Sequence, residues 1–109
     1  MKDDSVYLLH IYDAIVDIER YTDGGRKDFF AEKIIQDAVI RNLEIIGEAV
    51  KNISHQTRKK NPDIPWKRIA GLRDILIHQY FSVDLETVWL VVEKRLPLFL
   101  KQIRPLLME

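Results

Sequence analysis

The chain has 109 residues, of which 47% are hydrophobic and 31% charged, the composition of a single folded domain spanning 1–109 rather than of a disordered tail. It has no cysteine, which excludes disulfides, thiol catalysis, iron–sulfur clusters and zinc knuckles. The 17 basic and 17 acidic side chains cancel, but residues 1–50 carry 6 basic and 11 acidic groups while residues 51–73 carry 7 basic and one acidic, a local patch that a polyanion would feel and that a solvated basic loop would also produce. No apolar run approaches the ~20 residues of a membrane span. The start, Met1-Lys2-Asp3-Asp4, lacks a signal-peptide pattern, so a cytoplasmic chain without membrane contact is expected.

The first predicted helix runs from about Asp4 to Asp23. Leu8, Ile11, Ile15 and Ile18 recur at helical spacing, and Val6, Leu9, Tyr12 and Val16 widen the stripe. Asp23-Gly24-Gly25 is a stop signal. A second helix is predicted from Asp28, as N-cap, to Ile53. Ile35, Val39, Leu43, Ile46, Val50 and Ile53 form its apolar stripe, and Asp37, Arg41, Glu44 and Glu48 a polar one. Gly47 inside it costs roughly 1 kcal/mol relative to Ala, which makes sense where a backbone or ligand comes close.

Residues 54–65 are polar and end in two prolines, so a loop is expected there, with room for a helical turn. A third helix should start near Pro65, a residue suited to a first helical position, and reach Gln79, with Ile69, Leu72, Leu76 and Tyr80 inward. A break at Phe81-Ser82-Val83 precedes Asp84, the expected N-cap of a fourth helix. Its stripe is Leu85, Val88, Val92, Leu96, Phe99 and Ile103. Pro97 should kink this helix and Pro105 end it. No segment alternates with period two over strand length. The fold class is therefore all-α, an up-and-down bundle of four main helices.

The chemistry is concentrated in Gly71-Leu72-Arg73-Asp74-Ile75-Leu76-Ile77-His78-Gln79-Tyr80-Phe81. Asp74 and His78 are four apart, so a carboxylate can hold one imidazole nitrogen and leave the other free to move a proton. Arg73 and Tyr80 share a face about 10 Å apart along the axis. Arg73 and His78 diverge by roughly 140° and cannot easily converge from one straight helix. Either the helix loosens near His78, or a second copy of the chain completes the site. A planar guanidinium suits a phosphate, and an imidazole suits proton transfer near neutrality. Together they suit attack of a ribose 2′-OH on the adjacent phosphodiester without a metal. A surface cluster of charges with a half-buried imidazole would have the same composition.

The string Arg-x4-His-x-Tyr, as Arg73, His78 and Tyr80, with a polar residue after the Arg, resembles the signature of the HEPN superfamily and of its HepT-like branch. Arg41-Asn42-Leu43-Glu44-Ile45-Ile46-Gly47-Glu48-Ala49 resembles that branch's second-helix pattern. Pro65-Trp66 with Ile69-Ala70-Gly71-Leu72-Arg73 resembles its third-helix entry, and Tyr80-Phe81-Ser82-Val83-Asp84 with Val88-Trp89 its passage into the fourth. The likeness spans nearly the whole chain in order. It implies a dimerising helical bundle acting as a metal-independent endoribonuclease, the toxin of a toxin–antitoxin pair. Arg73 and His78 would be catalytic in a cleft between protomers, with Asp74 supporting. An MntA-like nucleotidyltransferase antitoxin would silence the toxin by adding AMP to Tyr80. No cofactor is implied. The rival expectations are a non-catalytic module that binds RNA or a partner, and a regulatory subunit of the nucleotidyltransferase.

Other residues carry weaker signals. Arg58, Lys59, Lys60, Lys67 and Arg68 could track a phosphate backbone or form a solvated run. Glu44 and Glu48 could form a solvated face, or reach the cleft beside Gly47 and pair with Arg73. His10 and His55 are isolated, and three His without carboxylate ligand spacing argue against a zinc site. Trp66 and Trp89 are expected as core or interface anchors rather than base-stacking platforms.

Overall fold

A computed structural model describes residues 3–78 and 84–108, with backbone alone for 73 and 75–78. Among these residues every regular element is helical. Helix α1 spans Asp4–Tyr21. The Asp3 carboxylate accepts from the Ser5 N–H at 3.0 Å and caps its start. Leu8, Ile11, Ala14, Ile15 and Ile18 are buried along one face. Val6 and Leu9 are about half exposed, so the apolar stripe is narrower than their hydrophobicity predicts. The chain leaves α1 through Thr22, whose hydroxyl donates to the Ile18 carbonyl at 2.7 Å. Gly25 then takes a φ of +83°, which disfavours any side chain, and donates its N–H to the Thr22 carbonyl.

The predicted second helix is two helices. Helix α2 covers Gly25–Ala31 and α3 covers Lys33–Lys51, with Glu32 extended between them. Asp28 is thus a residue of α2, not an N-cap; its carboxylate lies over Gly24, where a Cβ would meet Asp28 Oδ2 at 1.9 Å. No breaker residue marks the join. Packing makes it: the break lets Phe29 turn into the core, fully buried, 5.3 Å from the Trp89 ring and 5.2 Å from Phe30. The Gln36 amide closes the joint by donating to the Phe29 and Phe30 carbonyls at 3.0 and 3.3 Å. Arg26 lies over the Phe30 ring and pairs with Glu86, tying α2 to the last helical column. The stripe predicted for α3 is buried from Val39 through Leu43, Ile46 and Val50 to Ile53, with Ile35 half-buried.

The polar stretch after α3 contains a real helix, α4, His55–Lys60. Ser54 caps it by accepting from the Thr57 N–H at 3.1 Å. Asp4, at the start of α1, accepts from the Ser54 N–H at 2.9 Å, the Ser54 hydroxyl at 2.6 Å and the Thr57 hydroxyl. Partial burial works against the Asp4 carboxylate, but these hydrogen bonds outweigh it and hold the group below its ordinary range. Helix α5 spans Trp66–His78. Trp66 anchors its start: the indole N–H donates to the Asn61 carbonyl at 3.1 Å, and the ring meets Phe99 edge-on at 6.1 Å.

Asp84 caps α6, Leu85–Leu90, by accepting from the Glu86 N–H at 3.0 Å. A π-helical segment, Val91–Arg95, leads into α7, Leu96–Leu107. The disturbance expected from Pro97 therefore takes the form of a widened turn just before it. Pro97 sits in the first turn of α7, where its missing N–H removes little. Pro105 does not end the helix, which continues to Leu107. Val88, Leu96, Phe99 and Ile103 are buried as the stripe predicts, and the π segment brings Val91 inward as well. Helix α3 packs on α1 along one side and on α5 along another, and α1 also packs on α7. The four main columns are thus α1, α3, α5 and α6–α7. Trp66 and Trp89 are core residues, 5% and 8% exposed. Among the described residues no helix is long and apolar enough to cross a membrane.

Candidate active site

Helix α5 carries the motif. Its backbone is α-helical without interruption to His78, so it does not loosen between Arg73 and His78. The two Cα positions are separated by roughly 140° around the axis and about 7.5 Å along it. From one helix of this geometry the two residues do not easily converge on a single phosphate. Asp74 and His78 lie one turn apart on a shared face. Tyr80 and the expected break at Phe81-Ser82-Val83 lie outside the described residues, as do the side chains of Arg73 and His78 and the proposed pairing of Glu44 or Glu48 with Arg73.

Asp74 is anchored from the neighbouring helix. Its Oδ1 lies 2.6 Å from the Lys51 ammonium in the last turn of α3, in a half-exposed pair. Lys51 was not among the sequence candidates. A 23-residue separation has no helical signature, although Lys51 continues the polar stripe of Glu44 and Glu48 by one turn. The contact fixes the carboxylate and offsets its charge beside the motif.

Glu44, half-buried, and Glu48, exposed, line an open groove between α1 and α3. The groove encloses about 340 Å³ and is lined by Tyr7, His10, Arg41, Glu44, Glu48 and Asn52 among others. Tyr7 and His10 meet edge-on, with ring centroids 6.3 Å apart. Gly47 is buried in α3. His55 is exposed at the start of α4.

The five candidate RNA-contacting cations divide. Arg58, Lys67 and Arg68 border one open groove of about 690 Å³ with Pro62, Ile64, Pro65 and Trp66. Lys59 and Lys60 are exposed but do not line it. Arg58 is partly committed to the fold, since its Nη2 donates to the Val50 carbonyl at 2.6 Å. Among the described residues no group of His, Asp and Glu is placed to hold a metal ion.

The HepT-like ribonuclease model matches residues 11–106, which include the motif and run from the middle of α1 to the last residue but one of α7. The chain belongs to the HepT-like ribonuclease family. Three relatives illustrate its reach. A Methanocaldococcus jannaschii protein named as a gamma-glutamylcyclotransferase and predicted RNase is 50% identical over 109 residues, 99% of this chain and 49% of that one. The chain thus spans about half of that longer relative. A predicted RNase of Caldanaerobacter subterraneus subsp. tengcongensis is 42% identical over 108 residues, 98% and 96% of the two chains. A protein of Thermococcus cleftensis, named by prediction as ribonuclease HepT, is 47% identical over 92 residues, 84% of each chain. No solved structure matches significantly.

Proposed function

We propose that this chain is a metal-independent endoribonuclease whose working site is shared between two copies. The observation that supports this reading is the unbroken α5, in which ideal helix geometry separates Arg73 and His78 by about 140° around the axis. Membership of a ribonuclease family supports the substrate class. In the reaction, a His78 imidazole takes the proton of a ribose 2′-OH. The 2′ oxygen bonds to the adjacent phosphorus, and the bond to the departing 5′ oxygen breaks. That oxygen takes a proton from an imidazolium, and a 2′,3′-cyclic phosphate remains. Arg73 binds the two equatorial phosphate oxygens and steadies their growing charge, a task for a planar, bidentate cation. Asp74 positions the His78 ring and is itself positioned by Lys51.

The wider reading follows the family resemblance. The chain acts as the toxin of a toxin–antitoxin pair, as a homodimer or a multiple of it. An MntA-like nucleotidyltransferase silences it by adding AMP to Tyr80, placing an anionic phosphate and an adenosine in the cleft. Arg58, Lys67 and Arg68 track the RNA backbone beside the start of α5.

Mixed dimers test this. Purified Arg73→Ala and His78→Ala proteins are each incubated with total RNA in EDTA, alone and after co-refolding. Each alone should lose cleavage by a factor of about 10² or more, and the mixture should regain part of it. Full activity of the His78→Ala protein, loss of wild-type activity in EDTA, or a fully active wild-type monomer would overturn the reading.

A further inference from the structure

The α1–α3 groove combines features that the cleavage chemistry does not use. At about 340 Å³ it lies near the lower end of small-molecule sites and suits one nucleotide unit rather than a strand. Arg41 and Glu44 are three residues apart on α3, so opposite charges stand side by side on one wall. Among the described residues neither enters an ion pair. The opposite wall is aromatic, from Tyr7 and His10 on α1. The groove is also close to the motif. Its lining residue Glu48 is one turn from Lys51, which holds Asp74 at 2.6 Å.

We infer that this groove receives an unpaired guanine of the RNA chain, next to the bond that is cut. The inference rests on the ribonuclease reading above and adds a base preference to it. The chemistry selects the base. Guanine carries two N–H donors on its Watson–Crick edge, which a carboxylate accepts together, and two acceptors, O6 and N7, which a guanidinium satisfies together. Glu44 and Arg41 supply that pair of opposite partners. Adenine opposes the carboxylate with its N1 lone pair, and uracil and cytosine lack the second donor or the N7 acceptor. Tyr7 and His10 offer ring surface to a splayed-out base, the usual way single-stranded RNA is held.

The test uses oligoribonucleotides identical except for one central base, guanine, inosine or adenine. Binding is read by fluorescence anisotropy on versions whose 2′-deoxy sugars cannot be cleaved, and cleavage on the all-ribose versions. The wild type should bind the guanine oligonucleotide at least about tenfold more tightly than the adenine one, with inosine between because it lacks the exocyclic amine. Glu44→Gln, a partly exposed position checked for folding by circular dichroism, should bring guanine and adenine to within about twofold. Equal affinity of the wild type for both bases, or a guanine preference that survives Glu44→Gln, overturns the inference. Cleavage without base preference sinks the guanine site alone; neither binding nor cleavage of any oligonucleotide sinks the ribonuclease reading with it.

Discussion

Phe29→Ala separates the observed fold from the one that hydrophobic periodicity predicts. In a single helix from Asp28 to Ile53, Phe29 would sit in the first turn, and its removal would cost little. In the structure its ring is 0% exposed, wedged between Phe30 at 5.2 Å and Trp89 at 5.3 Å. Truncating a fully buried Phe costs about 3–5 kcal/mol through lost transfer energy and the cavity left behind. The two ring contacts account for about 0.5–1.5 kcal/mol each of aromatic preference beyond area. Against a typical domain stability of about 5–15 kcal/mol, the variant should lose a fifth or more of its stability. At about 4–8 °C per kcal/mol for a domain of this size, Tm should fall by roughly 12–40 °C. Urea denaturation followed at 222 nm measures the loss, and the wild-type and variant m-values should agree. A loss under about 1 kcal/mol would refute both the break at Glu32 and the clamp of α2 on α6.

Two further outcomes follow. Asp4→Asn should cost about 1–2 kcal/mol at neutral pH, because the Ser54 and Thr57 donors lose their charged acceptor. Since folding lowers the Asp4 pKa, its contribution is complete above the ordinary carboxylate range and disappears as pH falls through the lower folded value, so the two stability curves should converge only below about pH 4; a gap that narrows between pH 6 and 8 would contradict this. Under the proposed toxin reading, Tyr80→Phe should stay toxic in cells yet escape an MntA-like nucleotidyltransferase, gaining no AMP mass where the wild type gains one unit or a small multiple; modification at another residue would sink the switch.

The helix faces were legible because burial and helical period act on the same residues. Val39, Leu43, Ile46, Val50, Phe99 and Ile103 are where a 3.6-residue repeat puts them, and all are at most 1% exposed. The caps at Asp84 and the stop at Gly24–Gly25 were legible for a local reason, since a side-chain acceptor or a positive φ acts within a few residues. What escaped was tertiary. Nothing between Phe29 and Lys33 disfavours helix, so only the distant Trp89 explains the break. Val6 and Leu9 are hydrophobic, yet about half of each stays exposed. The π turn before Pro97 depends on how the last column keeps its core face in phase, a property of the whole bundle. In the site, the motif and the Arg41–Glu44–Glu48 stripe were visible at local spacing. The Lys51–Asp74 pair and the α1 wall of the groove needed the fold to bring remote residues together.

Acidic residues beside a motif proposed to cut RNA look counterproductive, and the magnitudes decide whether they are. A carboxylate about 8 Å from a phosphate in water repels it by only about 0.5 kcal/mol, and physiological salt screens that further. Asp74 contributes less still, because the Lys51 ammonium at 2.6 Å turns it into one end of a dipole. A carboxylate that accepts two N–H donors from a base gains about 1–3 kcal/mol of discrimination, several times the repulsion. Glu44 therefore costs little as a charge near the backbone and can contribute more as an acceptor. The same arithmetic explains the division of labour across α3. The side toward α5 carries the compensated acid, Asp74, that the proposed mechanism uses to position His78. On the side toward α1, Glu44 and Arg41 enter no ion pair among the described residues, which leaves both available to the base-reading wall inferred above. In the proposed mechanism, permanent phosphate attraction falls to Arg73 and to the cations at the start of α5, where no described acidic side chain lines the groove.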